Sequence, residues 1–243
     1  LLGASTVRNG FSPLELWAGQ GITAYILSNA FQNPMVNYYY LVEALKYQHP
    51  QVIVLDTSWL VRPFDIDEGE SFIRLAVDPM KFSLNKLLFV QAIVQKSSRQ
   101  SLSSYLFPLL RYHSRWKELS LEDLAIWKQY AENPFRGQNL VSESTPLTLS
   151  EKAFTPTDNV LPIDDTAKMY YQMIFNLCNQ NEIDVILVTA PRYSWNRAKH
   201  NAVQLFADQH QLVYFDYSSP ELMKQIGFDP LTDFLDREHV NSN

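Results

Sequence analysis

The stretch Gln51-Val52-Ile53-Val54-Leu55-Asp56 decides the expected fold, because it is a continuous apolar run rich in β-branched side chains. A strand with one wet face alternates apolar and polar residues, whereas a continuous run is typical of a parallel strand covered on both faces. Thr57-Ser58-Trp59 follows the run, and open α/β sheets bind ligands outside the carboxyl ends of their strands. The sequence therefore predicts a central strand over residues 51–56 with a site at its end.

The second half of the chain alternates between helical and strand patterns. An i, i+3, i+4, i+7 apolar stripe over residues 167–178 predicts a helix with Cys178 in the core, and an apolar run over residues 184–190 predicts a buried strand. A helix over residues 195–210, a short strand over 212–216 and a helix over 219–227 follow. This order implies parallel strands joined by right-handed crossovers.

The first half adds shorter elements before the central strand. We predict a helix over residues 14–19, a strand over residues 22–27 and a helix that begins at Pro34 and ends at His49-Pro50. The apolar side chains of that last helix recur at helical spacing and should face the sheet; they are Met35, Tyr38, Val42 and Leu45.

Strand and helix alternation is lost between residues 62 and 163, where helices are predicted at residues 85–95 and 119–130. The run of residues 111–116 could bind an anion or a sugar, although a solvated helix end is the simpler explanation. We therefore expect one domain over residues 1–243. It is a three-layer α/β/α, flavodoxin-like parallel sheet whose core is about residues 1–61 and 164–243, with a mainly helical insertion or cap at about residues 62–163.

Composition excludes several classes of function. The 243 residues are 46% hydrophobic and carry a formal charge of −6, without the clusters of Lys and Arg that a nucleic-acid surface needs. Cys178 is the one cysteine, which rules out a disulfide scaffold and a Cys-rich metal site. The sequence has no H-x-x-x-H pattern and no Gly-rich phosphate loop, so we expect neither a metal nor another cofactor.

The beginning of the chain is short for the strand expected there. Only Leu1 and Leu2 precede Gly3, whereas strands usually have about 5 to 6 residues. No window contains the roughly 18 uninterrupted apolar residues of a membrane span. We expect the natural protein to begin earlier, so that a signal sequence or membrane tether could precede Leu1.

The two ends of the chain carry groups that could act together. Gly3-Ala4-Ser5 can present a hydroxyl at the edge of the sheet, and Asp236-x-x-His239 can bond one imidazole nitrogen while the other faces a substrate. In a doubly wound sheet, the turn after the first strand and the loop after the last can meet. The alternatives are a helix-capping serine and a surface-loop histidine. The other histidines have no partner at a comparable spacing; they are His49, His113, His200 and His210.

These stretches resemble the ordered blocks of the SGNH/GDSL hydrolases. The likeness rests on Gly3-Ala4-Ser5, Leu27-Ser28-Asn29-Ala30-Phe31-Gln32, the strand of residues 52–58 and Asp236-x-x-His239-x-Asn241, and it covers roughly residues 1–60 and 165–243. The chain is most similar to the group found beside bacterial surface-polysaccharide genes, which is related to the D-alanine transfer protein of teichoic acids and to alginate acetylation proteins.

The resemblance implies Ser5 as nucleophile, His239 as general base and then acid, and Asp236 as the group that orients His239. It implies oxyanion-hole donors at Ser5, Ser28, Asn29 and Ser58. It also implies a substrate-binding set made of Gln32, Trp59, Arg192 and Tyr193. The family usually has glycine at the position of Ser28 and often asparagine near Thr57 or Ser58. A backbone N–H survives the first change, but the second leaves either a hydroxyl donor or none.

The resulting expectation is a serine-dependent acyl ester hydrolase or O-acyltransferase for a cell-surface polysaccharide, another acylated carbohydrate or a small ester, located outside the cytoplasm. The altered oxyanion blocks leave a second reading open, a weakly active or inactive SGNH-fold module that binds glycan with Trp59, Tyr193, Trp195 and the aromatic residues of the insertion. A flavodoxin-like nucleotide binder would fit the sheet but would lack a phosphate loop.

Overall fold

The structure is a computed structural model that describes residues 1–114, 117, 118, 120 and 134–242. The described residues form a five-stranded, all-parallel sheet in the order β2-β1-β3-β4-β5, flanked by helices, which confirms the predicted three-layer α/β/α class with a helical insertion. The strands are β1 (Leu2–Gly3), β2 (Leu27–Ser28), β3 (Val52–Asp56), β4 (Asp184–Thr189) and β5 (Val213–Asp216). The predicted central strand is β3, which pairs with β4 from Val52↔Asp184 to Asp56↔Val188.

The described helices are α1 (Ser5–Gly10), α2 (Pro13–Gln20), α3 (Pro34–Ala44), α4 (Glu70–Val77), α5 (Leu84–Lys96), α6 (Leu102–Leu106), α7 (Pro108–Tyr112), α8 (Asp165–Gln180), α9 (Arg197–Gln209) and α10 (Pro220–Gln225), with a 3-10 turn at Glu151–Phe154. Side chains that cap the first N–H groups determine where several of these helices begin. Asn33 accepts from the N–H of Val36 at 3.1 Å before Pro34, and Asp164 caps α8. The helix predicted over residues 119–130 lies outside the described residues except for Ser120. None of the described helices is both long and apolar enough to cross a membrane.

The strand predicted over residues 22–27 is wrong in position. The sheet takes up only Leu27 and Ser28, which pair with Leu2 and Gly3 at the edge of the sheet. Ile22 is 54% exposed, and the N–H of Ile26 bonds to the carbonyl of Arg136. The apolar residues before Leu27 therefore approach the sheet edge without joining it.

Helix α3 is buried on two sides, whereas the sequence predicted one apolar face. Leu41 belongs to the core around the sheet. Met35 and Tyr39 belong to a second core, which joins α3 and α8 to the insertion helices α4, α5 and α6. The periodicity missed the second face because the residues that cover it come from the insertion, where α4, α6 and α7 were not predicted.

The segment of residues 136–147, in the second half of the insertion, returns along the core and is called the strap here. Its backbone bonds to Arg8 through Asn139 at 2.9 Å and to Phe234 through Thr145 at 2.7 Å. Gly137 has φ +90°, and a Cβ there would lie 2.1 Å from the carbonyl oxygen of Ile26, so this contact requires glycine. The strap thereby joins the first helix to the loop near the C-terminal end.

Candidate active site

Ser5 is the first residue of α1 and follows β1 after a single residue. The turn is close-packed, because a Cβ on Gly3 would lie 2.4 Å from Cγ2 of Val7 and 2.5 Å from Cβ of Asp56. Ala4 provides no side-chain cap. The N–H of Val7 bonds to the carbonyl of Ala4 at 3.1 Å, so the donors at the start of α1 are the N–H groups of Ser5 and Thr6, at the positive end of the helix dipole. Ser5 therefore presents a hydroxyl beside backbone donors at the carboxyl edge of the sheet.

The structure brings Ser5, His239 and Asp236 together. Oγ of Ser5 lies 2.7 Å from Nε2 of His239, and Nδ1 of His239 lies 2.9 Å from Oδ2 of Asp236. The carboxylate fixes the tautomer, because an N–H on Nδ1 that donates to Asp236 leaves Nε2 free to accept from Ser5. The arrangement can transfer a proton from the serine hydroxyl to the imidazole.

Asp236 is held by the backbone of its own loop. Its Oδ1 accepts the N–H groups of Glu238 at 2.7 Å and His239 at 2.9 Å. Burial by itself raises the pKa of the Asp236 carboxyl, but the bonds from Glu238 and His239 outweigh it, so the pKa lies below its ordinary value. Asp236 is therefore a carboxylate across the neutral range.

The loop that carries these residues, residues 233–241, is closed on itself and fastened to the strap. Phe234 and Val240 form an antiparallel bridge. The side-chain amide of Asn241 donates to the carbonyl of Thr232 at 2.7 Å, and the hydroxyl of Thr145 donates to the carbonyl of Leu235 at 2.7 Å. A loop without regular secondary structure thus obtains a fixed geometry.

A cleft of about 340 Å³ opens beside Ser5 and His239. The Arg62 guanidinium lies 4.7 Å from the Trp59 ring and 5.4 Å from the Phe31 ring, and it pairs with Glu68 at 2.6 Å. Phe31 has φ +51°, an uncommon left-handed conformation for a bulky residue. The remaining lining residues are Ala4, Thr6, Ser58, Val61, Pro63, Arg192, Ser194, Trp195, Lys199 and Glu238.

The side chains of three residues predicted for the oxyanion hole, Ser28, Asn29 and Ser58, are bonded elsewhere. The Ser28 hydroxyl donates to the carbonyl of Ala4 at 2.6 Å, and the Asn29 amide donates to the carbonyl of Phe72 at 3.2 Å. The Ser58 hydroxyl lines the cleft but donates to Oδ2 of Asp56 at 2.5 Å. Backbone N–H groups, including that of Ser5, are consequently the oxyanion donors that this geometry offers.

Asp56 is a buried carboxyl beneath the cleft that sequence reasoning treated only as the end of a strand. Burial raises its pKa, an effect that the bonds from Ser58 and Thr6 and the charge of Arg192 partly offset. The Tyr171 hydroxyl donates to its backbone carbonyl. The sequence feature that could have indicated this buried carboxyl is an acidic residue at the end of a buried strand.

The four residues predicted to bind substrate divide into two pairs. Trp59 and Arg192 line the cleft. Gln32 is 1% exposed, and its amide donates to the carbonyl of Leu27 at 2.9 Å and to Oδ1 of Asn37 at 2.7 Å, so it links β2 to α3. Tyr193 is not among the cleft residues. The guanidinium of Arg237 lies over the Tyr193 ring, 5.1 Å from the ring centroid.

His200, for which sequence spacing indicated no partner, has one in the structure. Its Nδ1 lies 2.7 Å from Oδ2 of buried Asp216, which also accepts the indole N–H of Trp195 at 3.0 Å. His200 lies on α9 and Asp216 at the end of β5, so no short spacing in the sequence indicated the pair. Sequence reasoning also missed Glu238, Ser194 and Lys199 as cleft residues.

Part of the 111–116 run remains outside the described residues, namely Arg115 and Trp116. In the described part of the run, Arg111 pairs with Glu70 at 3.2 Å. Across the part of the chain that the structure describes, no group of three or more His, Cys, Asp and Glu side chains could hold a metal ion.

Comparisons with protein-family models and with curated protein sequences found no match for this chain.

Proposed function

We propose that the chain is a serine-dependent acyl ester hydrolase or O-acyltransferase of SGNH type. The observation that carries the proposal is the Ser5–His239–Asp236 chain of hydrogen bonds, with 2.7 Å between Oγ and Nε2 and 2.9 Å between Nδ1 and Oδ2. A serine hydroxyl becomes an effective nucleophile when a base within hydrogen-bond reach takes its proton and an acid orients that base.

In the first half-reaction, Oγ of Ser5 attacks the carbonyl carbon of the ester while its proton passes to Nε2 of His239. Backbone N–H groups at the start of α1 stabilise the negative charge on the carbonyl oxygen. The bond to the alcohol oxygen then breaks, and the departing alcohol takes the proton from Nε2. The product is an acyl ester on Ser5.

In the second half-reaction, water or a sugar hydroxyl attacks the acyl-Ser5 carbonyl and gives its proton to Nε2 of His239. The bond to Oγ breaks, and Oγ recovers that proton. Water gives hydrolysis, and a sugar hydroxyl gives acyl transfer.

The cleft supports an acylated carbohydrate as substrate. Its volume of about 340 Å³ lies at the lower end of small-ligand sites. Phe31 contributes a partly exposed aromatic ring beside polar and charged groups, a combination suited to sugar rings, whereas Trp59 and Trp195 line the cleft but are each only 3% exposed. The proposed substrate is a cell-surface polysaccharide or a similar ester outside the cytoplasm, in keeping with the family resemblance.

The test is turnover of an activated acetyl ester by the parent, Ser5→Ala and His239→Ala. The matched control is Ser98→Ala, which removes an exposed serine hydroxyl from the insertion. The proposal expects loss of turnover in the first two variants and parent-like turnover in the control. Equal turnover by Ser5→Ala and the parent would refute the proposal.

A second function is favoured by the engaged hydroxyl of Ser58, which weakens the case for a complete oxyanion hole. In this alternative, the chain is a glycan-binding module that keeps the fold and does not turn over esters. Glycan binding that is unchanged in a Ser5→Ala, His239→Ala double variant, with no esterase activity in the parent, would favour it.

A further inference from the structure

In the sequence, Glu238 lies between Asp236, which orients the imidazole, and His239, which transfers the proton. Its carboxylate forms an ion pair with Nη2 of Arg192 and accepts the hydroxyl of Ser194 at 2.9 Å. Its backbone N–H donates to Oδ1 of Asp236 at 2.7 Å. Glu238 therefore links the 233–241 loop to the loop of residues 190–196, which follows β4, in addition to the backbone bond from the N–H of Tyr193 to the carbonyl of Arg237 at 3.1 Å.

The 190–196 loop is itself firmly fixed. The backbone N–H of Arg192 donates to Oγ of Ser218 at 3.0 Å, and that hydroxyl donates to the carbonyl of Ala190 at 2.9 Å. The Trp195 indole is fixed by Asp216, as described above. Glu238 is thus tied to a part of the molecule that is anchored at the ends of β4 and β5.

The environment strengthens this ion pair relative to the other one at the cleft. The side chains of Arg192 and Glu238 are 15% and 41% exposed, whereas those of Arg62 and Glu68 are 39% and 43% exposed, so the two pairs differ in the burial of the arginine. Burial raises the pKa of the Glu238 carboxyl, but the Arg192 charge and the bonds from Arg192 and Ser194 outweigh it, so the net shift is downward. Exposed pairs contribute little, and shielding from water increases the attraction.

We propose that Arg192 and Glu238 form a positioning pair that holds Asp236 and His239 in register with Ser5. The inference rests on the proposed function and assigns Arg192 a role other than the substrate contact that the sequence predicted. Arg192 acts through Glu238 and does not take part in the chemistry. Losing the pair lets the 233–241 loop shift, and displacements of about 1 Å at such a site can cost about 10²-fold in rate.

The kinetic test uses Glu238→Gln, Arg192→Met and Arg192→Lys with an activated acetyl ester. Positioning predicts that the first two lower the Ser5 acylation rate by about 10-fold to 100-fold with KM within about threefold of the parent. Arg192→Lys keeps the charge and should recover part of the rate. Lys46→Met, which breaks the Lys46–Glu43 ion pair at the end of α3 outside the cleft, should leave the rate within about twofold.

A second measurement is independent of catalysis. Amide hydrogen exchange of residues 233–241, without substrate, should accelerate in Glu238→Gln and Arg192→Met and stay at the parent rate in Lys46→Met. If Ser5 of the parent is never acylated, the proposed function is refuted. The exchange experiment would still show whether the Arg192–Glu238 pair holds the 233–241 loop. A rise in KM with an unchanged acylation rate in Arg192→Met, or unchanged exchange, would overturn the inference in favour of direct substrate contact.

Discussion

Ser5 and His239 are 234 positions apart in the chain, and their Oγ and Nε2 atoms are 2.7 Å apart. Three features create this proximity: the parallel sheet that ends β1 at the carboxyl edge, the closed 233–241 loop and the strap that fastens the loop.

Asp236→Asn should lower the Ser5 acylation rate by about 10²-fold to 10⁴-fold, because an amide cannot stabilise the imidazolium or select the tautomer as a carboxylate does. The Asp236 side chain is 53% exposed, so the lower end of this range is expected. Stopped-flow release of the alcohol from an activated ester measures it. A rate within threefold of the parent would show that Asp236 does not orient His239.

Gly3→Ala should lower the free energy of unfolding by about 1–3 kcal/mol, because the new Cβ meets Val7 and Asp56 in a packed turn. The matched control is Gly19→Ala in α2, where a Cβ has no neighbour within 4 Å. That change should raise the free energy of unfolding by up to about 1 kcal/mol, since alanine favours a helix. Urea unfolding of both variants decides the matter; equal effects at the two glycines would contradict the packing argument.

The sequence predicted the fold far better than the details of the site. The run around Val54 and the alternation after residue 165 depend on local periodicity, so β3, β4, β5, α8 and α9 were confirmed. The edge strand β2 and the helices of the insertion depend on packing against distant segments, which local periodicity does not report.

The same distinction applies to the site. Asp236 and His239 are near neighbours in the chain, and their spacing announced a bonded pair. The Arg192–Glu238 and His200–Asp216 contacts join residues from different elements, so no spacing rule could reveal them.

Ser58→Ala should change the acylation rate by less than about 10-fold, because the Ser58 hydroxyl donates to Asp56 and is not free for an oxyanion. Removing a true oxyanion donor costs about 10²-fold to 10³-fold. Ser28→Ala, whose parent hydroxyl bonds to the Ala4 carbonyl, should behave similarly. A loss of 10²-fold or more in Ser58→Ala alone would place its hydroxyl in the oxyanion hole.

The folded parent loses stability as the pH rises because Asp56 ionises in a buried site, and Asp56→Asn should abolish that pH dependence. The folded-state pKa of Asp56 is raised, so the unfolded chain releases this proton first and the folded state loses stability between the unfolded and folded pKa values. The stability of the variant relative to the parent should therefore increase with pH through that window and then level off. Urea unfolding from about pH 4 to about pH 8 measures this difference.

Asp236→Asn is the control of opposite sign in the same experiment. Because the folded-state pKa of Asp236 is lowered, its stabilisation is present above the unfolded pKa and is lost as the pH falls through the folded pKa. Its variant should lose stability relative to the parent at higher pH, by a small amount because the side chain is largely solvent-screened. A pH-independent difference for Asp56→Asn would contradict the assignment.

The central claim is that Ser5 becomes acylated through His239. Incubation with an activated acetyl ester, followed by peptide mass mapping, tests it most directly. We expect one acetyl group on Ser5 in the parent, none on Ser5 in His239→Ala, and no compensating adduct at Ser58 or Ser194. An unmodified Ser5 in the parent under conditions that acetylate surface lysines, or equal labelling of Ser5 with and without His239, would contradict the account.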